Sequence, residues 1–395
     1  MAVKKLKEGV YFVGAIHWDR KLFDELIPLP EGTSYNSYFI KGKEKSALID
    51  GVDPSKEYEL FENLKSLGVE KIDYIISHHA EQDHSGAIPS LLSAYPMTKV
   101  VTNEKCKSFL KSLLLIPEDR FLAVKEGDLL HLGGKTLQFF MTPWVHWPET
   151  MISYLKEDKI LFSCDFFGSH LATSEIMSAP KEEVYVSAKR YYAEIMMPFR
   201  TSIKKHLEKV KTLEIEIIAP SHGPIHMEPE FIIDAYKEWV SDEVKNEVIL
   251  PFVSMHGSTK KMVDYFIDLL MERNVVVKPF NLTVADIGEL AMALVDAATV
   301  VIASPTMLVG AHPYAVYAAY LINALRPKLR FYSFIGSYGW GGKMVDQLKG
   351  LLGNLKAEFL DPVIVLGYPK EDDFKALEKL ADRIVEKHRE LGIAK

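Results

Sequence analysis

The sequence predicts an α/β protein of two domains, the second of them a doubly wound, five-stranded parallel sheet. Three observations lead to this fold class. The chain has 395 residues, enough for two or three domains. Short strand patterns dominate residues 1–247, and strands alternate strictly with helices over residues 248–395. We therefore expect the domain boundary near residue 247.

The first domain is expected to contain short strands in meander order, with a few helices between them. Alternating and β-branched patterns mark the strands, and apolar residues at helical spacing mark the helices. The expected strands are 10–18, 37–41, 46–51, 73–77, 99–102, 136–142, 150–155, 159–163 and 214–219. The expected helices are 57–67, 182–211 and 230–244.

The second domain has five predicted strands and five predicted helices in strict alternation, the pattern of an open parallel sheet covered by helices on both faces. The expected strands are 248–253, 275–279, 299–303, 329–334 and 362–366, and the expected helices are 258–272, 285–297, 314–325, 343–352 and 371–391. Residues 297–325 carry no Asp, Glu, Lys or Arg, but Pro305, Gly310 and Pro313 interrupt them. This favours a buried strand, a loop and a helix over a membrane span.

Composition and charge exclude several classes of protein. The formal net charge is −7, which argues against nucleic-acid binding through a basic face. The two cysteines, Cys106 and Cys164, cannot form a disulfide scaffold, a four-cysteine zinc site or a cysteine-ligated iron–sulfur cluster. The charged amino terminus is not followed by an apolar segment with a cleavage site, so we expect a cytoplasmic protein.

The densest group of potential metal ligands follows the predicted strand 73–77. Residues 75–86 read Ile-Ile-Ser-His-His-Ala-Glu-Gln-Asp-His-Ser-Gly, which supplies imidazole and carboxylate donors and no sulfur. A loop at the carboxyl end of a strand can project such side chains into one site. Taken alone, the segment is also compatible with a solvated polar loop.

Three donors in later segments favour the metal site, because each follows a predicted strand near glycine or proline. An unpaired buried charge is costly, so an ionisable residue in such a position is more naturally a ligand than a core residue. Imidazole and carboxylate donors without thiolate suit iron at least as well as zinc. The candidate ligands are His79, Glu81, Asp83, His84, His146, Asp165 and His222.

Other residues near these candidate ligands are expected to have roles outside metal coordination. His78 is expected to pack or face solvent, because its side chain points opposite to that of His79 if the strand continues. His170 is close enough to Asp165 in sequence to hydrogen-bond a ligand or a bound intermediate, with an ordinary structural role as the stronger alternative. Cys164 is expected to be a small buried side chain. Trp144 and Trp147 flank His146 and either wall the pocket or belong to the core.

The order of the ligands resembles that of the metallo-β-lactamase superfamily with one departure. Hydrolases of that superfamily commonly carry His where this chain has Glu81. The Glu form resembles the flavodiiron proteins, which also place a flavodoxin-like domain directly after the metal domain. The chain resembles a flavodiiron protein over its whole length. The resemblance implies a metallo-β-lactamase-like αββα sandwich over residues 1–247 and a flavodoxin-like domain over residues 248–395.

The resemblance also implies how the ligands are shared between two non-haem iron ions. One iron would take His79, Glu81 and His146. The other would take Asp83, His84 and His222, although coordination by the residue at the position of His84 varies within the family. Asp165 would bridge the two ions, which keeps them close enough to act on one diatomic molecule.

Three loops of the second domain predict a ligand crevice. Each follows a neighbouring strand of the expected parallel sheet, and the carboxyl ends of such strands meet where these sheets bind ligands. The first loop, Ser-Met-His-Gly-Ser-Thr at 254–259, precedes a helix and can bind an anion through backbone N–H groups, or serve only as a helix cap. Neither Gly-x-Gly-x-x-Gly nor a Walker A sequence occurs there, which disfavours a dinucleotide or ATP.

The other two loops, 304–310 and 336–342, contain glycines, and the second of them also carries Tyr338 and Trp340, whose flat rings can contact a cofactor. Together the three loops resemble the FMN site of flavodoxins, and the last resembles its flavodiiron form. The candidate FMN-binding residues are Ser254, Met255, His256, Gly257, Ser258, Thr259, Pro305, Thr306, Met307, Leu308, Gly310, Ser337, Tyr338, Gly339, Trp340 and Gly341.

The resemblance implies an enzyme that reduces dioxygen to water, nitric oxide to nitrous oxide, or both, with electrons passing from FMN to the irons. It further implies a head-to-tail homodimer or a dimer of dimers. Two cysteines cannot build a rubredoxin centre, so the expected electron donor is a separate rubredoxin or rubredoxin-reductase system. Two alternatives stay open: a zinc-dependent hydrolase fused to a flavodoxin-like domain, and a flavin electron carrier with a degenerate metal domain.

Overall fold

The computed structural model describes residues 3–395, which form two compact units. One unit comprises the chain up to Tyr192 together with Phe199–Val240, and the other comprises Ala193–Pro198 together with Ser241–Lys395. The first two residues of the chain, with which the predicted first domain begins, lie outside the described residues.

Strands and helices of the first unit alternate less regularly than those of the second. The strands are β1 (Lys4–Lys7), β2 (Val10–Phe12), β3 (Ala15–His17), β4 (Leu22–Phe23), β5 (Ile27–Pro28), β6 (Thr33–Tyr35), β7 (Tyr38–Lys41), β8 (Ser46–Ile49), β9 (Tyr74–Ile76), β10 (Lys99–Thr102), β11 (Phe121–Ala123), β12 (Leu129–His131), β13 (Thr136–Met141), β14 (Met151–Leu155), β15 (Ile160–Cys164) and β16 (Ile217–Pro220). The helices are α1 (Glu57–Ser66), α2 (Gln82–Ser85), α3 (Ile88–Ala94), α4 (Glu104–Leu114), α5 (Lys181–Tyr191), α6 (Arg200–Val210) and α7 (Pro229–Val240).

Two sheets make up most of the first unit. One has the order β1-β2-β7-β8-β9-β10-β11 and the other β12-β13-β14-β15-β16. The predicted meander order is wrong for half of the first sheet, where β8, β9, β10 and β11 pair in parallel. Parallel neighbours need crossover connections, which α1, α3 and α4 supply. The sequence patterns did not predict α3 or α4.

The core of the first unit lies between its two sheets. Phe12 from the first sheet meets Phe139 and Phe162 from the second, and all three are fully buried. The opposite face of the first sheet packs against helices, through residues such as Leu64 of α1 and Leu110 of α4. This gives the helix and sheet layers expected of an αββα sandwich.

The predicted continuous helix 182–211 is wrong, because the chain breaks it into pieces. After α5 come a π-helical turn, Tyr192–Met196, and a 3₁₀ turn, Met197–Phe199, before α6 begins. Pro198 explains the break, since proline lacks the N–H that a helix interior needs and its ring clashes with the preceding turn. The break ends α5 at Tyr191, whose side chain reaches the candidate site described below.

The second unit is a parallel sheet with helices on both faces, as predicted. Its strands are β17 (Lys245–Phe252), β18 (Val276–Asn281), β19 (Ala297–Met307), β20 (Gly310–Ala311), β21 (Phe331–Tyr338), β22 (Glu358–Phe359) and β23 (Val363–Leu366). Its helices are α8 (Ser258–Glu272), α9 (Ile287–Leu294), α10 (Pro313–Leu325), α11 (Met344–Leu351) and α12 (Glu371–Glu390).

The strand order of the second unit is β18-β17-β19-β21-β22, with β23 also paired to β21. This is the 2-1-3-4-5 order of a doubly wound sheet, with a topological switch between β17 and β19. The fifth position is divided, because β22 pairs with the start of β21 and β23 with its end. Helices α8 and α12 cover one face, and α9, α10 and α11 cover the other.

The uncharged stretch 297–325 folds as β19, β20 and α10, as the sequence predicts. Among residues 3–395, none of the helices combines the length and the apolar character that a membrane crossing requires.

Candidate metal centre and ligand crevice

The loop between β9 and α2, together with α2 itself, carries four of the seven candidate ligands. His79 is fully buried in this loop, and Glu81 directly precedes the short helix that contains Asp83 and His84. This helix directs the side chains of Asp83 and His84 toward a second group of donors, which is described below. Gly51 permits the close approach of this segment, because a Cβ atom there would lie 2.8 Å from the carbonyl oxygen of His84.

The first donor group joins His79, Glu81 and His146. Glu81 Oε2 lies 3.1 Å from His79 Nε2 and 3.2 Å from His146 Nε2. Asp165 Oδ2 lies 3.7 Å from His79 Nε2 and 3.5 Å from His146 Nε2. Four ligand atoms from three separate segments therefore surround one small volume.

The second donor group joins Asp83, His84 and His222. Asp83 places Oδ1 at 3.4 Å from His84 Nε2 and Oδ2 at 3.2 Å from His222 Nε2. Asp165 Oδ1 lies 3.1 Å from His84 Nε2 and 3.3 Å from His222 Nε2. The two oxygens of Asp165 thus face different groups, which is the geometry of a bridging carboxylate.

The donor set fits two divalent cations. Both oxygens of Asp83 and Nε2 of His84 are buried and lack a hydrogen-bond partner among the described residues. Buried polar atoms are normally satisfied, so a cation at their meeting point removes an otherwise large cost. Imidazole and carboxylate donors without sulfur suit iron.

The electrostatics of the cluster favour positive charge between its ligands. Burial lowers the pKa of His222, but the nearby carboxylates of Asp165 and Asp83 outweigh burial and raise the pKa to about 10. The pKa of His146 shows the same balance: burial lowers it, but Asp165 and Glu81 raise it to about 9. Burial raises the pKa of Asp165, but its histidine neighbours hold it well below the usual range. A metal can supply the same positive charge as these protons.

The two donor groups differ in exposure. The side chains of Glu81 and His146 are 14% and 12% exposed, whereas those of His84 and His222 are 2% exposed. Trp147 packs edge-on against His79, with ring centroids 4.9 Å apart, while Trp144 is half exposed and stacks on Phe199. Solvent therefore meets the centre on the Glu81 and His146 side.

Two nearby histidines stand outside the ligand set. His78 is buried with both ring nitrogens occupied, Nδ1 by Asp50 and Nε2 by Ser153, each at 2.8 Å. It therefore packs rather than ligates. His170 bonds Thr33 through Nδ1, and its ring centroid lies 5.3 Å from that of His222. Burial and the neighbouring His222 lower its pKa, so the ring is neutral.

Sequence reasoning missed three groups that orient the ligands. Glu149 Oε1 accepts a hydrogen bond from His79 Nδ1 at 2.7 Å, and the carbonyl oxygen of Ser34 accepts one from His222 Nδ1 at 2.8 Å. The Tyr191 hydroxyl donates to Asp165 Oδ1 at 2.8 Å. Of the three, Glu149 had a sequence signal, because it closes the segment of His146 with Trp-Pro-Glu.

The candidate crevice of the second unit lies at the carboxyl ends of three adjacent parallel strands, β17, β19 and β21. The Thr259 hydroxyl lies 3.1 Å from the Ser337 hydroxyl, which joins the first loop to the third. Ser254 Oγ accepts a hydrogen bond from the Lys260 backbone N–H at 3.1 Å, closing the first loop over the start of α8.

The loops leave room for a phosphate and a flat ring. Gly257 adopts φ +91° with nothing within 4 Å of its Cβ direction, so the backbone N–H groups at the start of α8 are accessible to an anion. A cavity of about 430 Å³ is lined by Thr306, Tyr338 and Gly341 together with α11 residues. Met255, Leu308 and Trp340 are exposed on the three loops, Trp340 being 71% exposed. The residues present fit FMN.

The other predicted crevice residues belong to the same three loops. Pro305, Thr306 and Met307 end β19, and Gly310 begins β20, which pairs back onto β19. Ser337 and Tyr338 end β21. Three members remain. His256 and Ser258 belong to the first loop, and Gly339 directly follows Tyr338 in the third.

Comparisons with known proteins find relatives over most of the chain. Residues 33–223 match the family model described as "ODP family beta lactamase". The chain is 33% identical to the coenzyme F420H(2) oxidase of Methanothermobacter marburgensis, over 97% of this chain and 99% of that protein. It is also 33% identical to the nitric oxide reductase of Moorella thermoacetica, over 96% and 97%.

Solved structures are similar over the same length. Rubredoxin oxygen:oxidoreductase from Desulfovibrio gigas matches with a TM-score of 0.94 and 29% identity, covering 98% of each chain. The flavodiiron protein of Giardia intestinalis matches with a TM-score of 0.89 and 26% identity, covering 99% of this chain and 98% of that one.

Proposed function

This chain belongs to the flavodiiron protein family, and on that premise we propose that it is an oxidoreductase that reduces dioxygen to water, nitric oxide to nitrous oxide, or both. The observation that carries the proposal is Asp165, whose two oxygens face two separate donor groups. Dioxygen reduction consumes four electrons and four protons, and coupling of two nitric oxide molecules consumes two of each. A site with two redox metals is suited to both reactions.

The proposed di-iron domain is residues 1–247. His79, Glu81 and His146 would hold one iron, Asp83, His84 and His222 the other, and Asp165 would bridge them. When bound, the irons supply the substrate-binding positions and the electrons, which FMN delivers. The chain's own contribution is to keep Asp165 and three of the histidines dry and fixed, and to leave the Glu81 and His146 side open to a small gas molecule.

The proposed FMN-binding domain is residues 248–395. The first loop, 254–259, and the start of α8 would hold the phosphate, because backbone N–H groups at a helix amino terminus favour an anion. The loops after β19 and β21 would hold the ring system, with Tyr338 and Trp340 against its faces.

The proposed partners follow from the family. The named relatives include a coenzyme F420H(2) oxidase and a rubredoxin oxygen:oxidoreductase, so donors differ among them. We favour a rubredoxin or a rubredoxin-reductase system as the donor for this chain, which has two cysteines. We also propose a head-to-tail homodimer or a dimer of dimers in the cytoplasm, with protection from oxygen or nitrosative stress as the role.

A single series of measurements tests the function. Anaerobically purified protein is analysed for iron, zinc and FMN, reduced, and mixed with dioxygen or nitric oxide in separate runs while FMN reoxidation and gas consumption are followed. We expect two irons and one FMN per chain, with gas-dependent reoxidation. Two zinc ions together with ester or lactam hydrolysis would overturn the proposal. Gas consumption that persists without bound metal would instead indicate a flavin electron carrier.

A further inference from the structure

The two donor groups of the metal centre have different partners behind their histidines. A histidine that ligates through Nε2 has its Nδ1–H free for a second partner, which fixes the ring and tunes its donor strength. Behind His79 that partner is the carboxylate of Glu149, at 2.7 Å. Behind His222 it is the neutral backbone carbonyl of Ser34, at 2.8 Å. The first group therefore has a hydrogen-bonded carboxylate behind one of its histidines, whereas the Asp50 carboxylate near His84 of the second group is hydrogen-bonded to His78.

Glu149 is held in an unusual environment for a carboxylate. Its side chain is fully buried, and Oε1 also accepts a hydrogen bond from the Ala80 backbone N–H at 3.1 Å. The Asn103 side chain donates to the Glu149 backbone carbonyl at 2.6 Å, which anchors the segment. Among the described residues, its one ion-pair partner is His79. A buried carboxylate needs compensating positive charge, and here that charge can come only through the His79 ring.

Asp165 adds a second difference in the same direction. Its Oδ1, which faces His84 and His222, accepts a hydrogen bond from the Tyr191 hydroxyl at 2.8 Å. This bond draws charge away from the oxygen on that side. Its Oδ2, which faces His79 and His146, has beside those two rings the weak Cys164 thiol donor at 3.9 Å. The His79 side therefore has the stronger donors.

We propose that Glu149 is a positioning residue that makes the group of His79, Glu81 and His146 the tighter of the two metal sites, and the one with the lower reduction potential. The inference rests on the proposed di-iron function. A carboxylate hydrogen-bonded to the far side of the imidazole raises the basicity of the ring and favours the ferric over the ferrous ion. The ferrous ion has one electron more than the ferric ion, and the flavin would supply that electron. The two irons are then reduced in a fixed order, with the His84 and His222 side first.

The decisive variant is Glu149→Gln, which keeps the size of the side chain and its oxygen acceptor but removes the charge. Glu104→Gln is the matched control, because Glu104 lies nearby in the same unit and its side chain is 68% exposed. Tyr191→Phe acts on the other side of the centre, since it removes the hydrogen bond to Asp165 Oδ1 and leaves the ring in place.

The experiment uses the full-length protein, stripped of metal and titrated anaerobically with ferrous ion, followed by a redox titration with electron paramagnetic resonance of the mixed-valent state. For Glu149→Gln we expect the tighter site to weaken by about 10- to 100-fold and its potential to rise, with the other site unchanged. For Tyr191→Phe we expect the reduction potential of the iron on the His84 and His222 side to fall. The difference between the two reduction potentials then changes.

Equal affinities and potentials in Glu149→Gln and the wild type would overturn the inference, and so would equal weakening of both sites. If Glu149→Gln does not fold, an unchanged separation in Tyr191→Phe overturns it independently. A wild-type protein that binds fewer than two irons would instead overturn the proposed function.

Discussion

The candidate metal centre and the candidate FMN crevice are built in opposite ways. The centre is made of side chains that are almost all buried and that come from four distant segments of the chain. The crevice is made of glycines, hydroxyls and backbone N–H groups on three exposed loops, all at one edge of a parallel sheet. The first site therefore depends on residue identity, and the second on strand order and backbone conformation.

This difference predicts how each site responds to substitution. Removing one ligand from a shared, buried centre leaves the remaining charges uncompensated, so the loss is large and cooperative. Removing one ring from an exposed loop sacrifices only that contact, because the backbone donors stay in place. The following variants test the contrast from the strongest effect to the weakest.

Asp165→Ala is expected to have the largest effect. It removes the one carboxylate that faces both donor groups, so we expect both metal affinities to fall by more than about 100-fold and gas reduction to be lost. FMN content should stay at the wild-type value, because the crevice belongs to the other unit. Metal analysis and FMN absorbance on the same sample check this. Asp234→Ala on the surface of α7 is the matched control, and normal metal content in Asp165→Ala would contradict the bridging role.

Trp340→Ala should affect the other site, and more weakly. The exposed indole follows β21, and loss of its stacking surface is expected to weaken FMN binding by about tenfold. Metal content should not change. Titration of the flavin-free protein with FMN measures the effect, with Trp18→Ala as the control because Trp18 is an exposed tryptophan of the first unit. An unchanged FMN affinity would place the ring system away from the third loop.

The seven candidate ligands named from the sequence lie together in the structure, whereas the sequence did not point to the residues that hydrogen-bond them. His146 and Asp165 could be recognised because an ionisable side chain after a buried strand needs a chemical reason to be there. Tyr191 contacts Asp165 only because β15 and α5 meet in space, and the position of Glu149 near His146 in the sequence did not indicate its hydrogen bond with His79. The same limit applies to α4, which the sequence patterns did not predict and whose crossover role depends on the parallel sheet.

The second unit was predicted more fully for a physical reason. Its central strands β17, β19 and β21 are mostly buried, and helices such as α8 and α12 have one apolar face, so these elements carry their own signal. The first unit interleaves strands of three or four residues with turns, and such short elements are fixed mainly by pairing partners. The break after Tyr191 depends on Pro198. The predicted helix 182–211 followed the periodicity of the apolar residues and took no account of this proline.

His388 is expected to make the second unit sensitive to acid. Burial lowers its pKa to about 4, and both ring nitrogens are engaged, Nδ1 with Asn246 and Nε2 with Thr299. Between about pH 6.5 and pH 4 the unfolded chain binds a proton that the folded chain does not. Its stabilising contribution is therefore complete above pH 6.5 and is lost as the pH falls, by at most about 1.4 kcal/mol per pH unit.

Urea unfolding of the second unit, followed by flavin release at several pH values, measures this slope. His388→Asn should flatten it by up to one proton and leave the metal centre unchanged. His226→Asn is the comparison variant, because burial also lowers the pKa of His226 to about 4 but in the first unit. The same pH slope in His388→Asn and the wild type would show that another group carries the acid sensitivity.

Cys164→Ala should have the smallest effect, although the thiol lies next to the bridging ligand. Burial, together with the Asp165 and Asp50 carboxylates, raises the pKa of the thiol, and the thiolate is the form that binds metals. The sulfur also lies near Asp50 and His84, so it occupies a position where a ligand is conceivable. We expect unchanged iron stoichiometry and a decrease of about 1 kcal/mol in the free energy of unfolding, from lost apolar burial. Loss of one iron in this variant would mean that a thiolate enters the coordination sphere, and the centre would then no longer be a purely imidazole and carboxylate site.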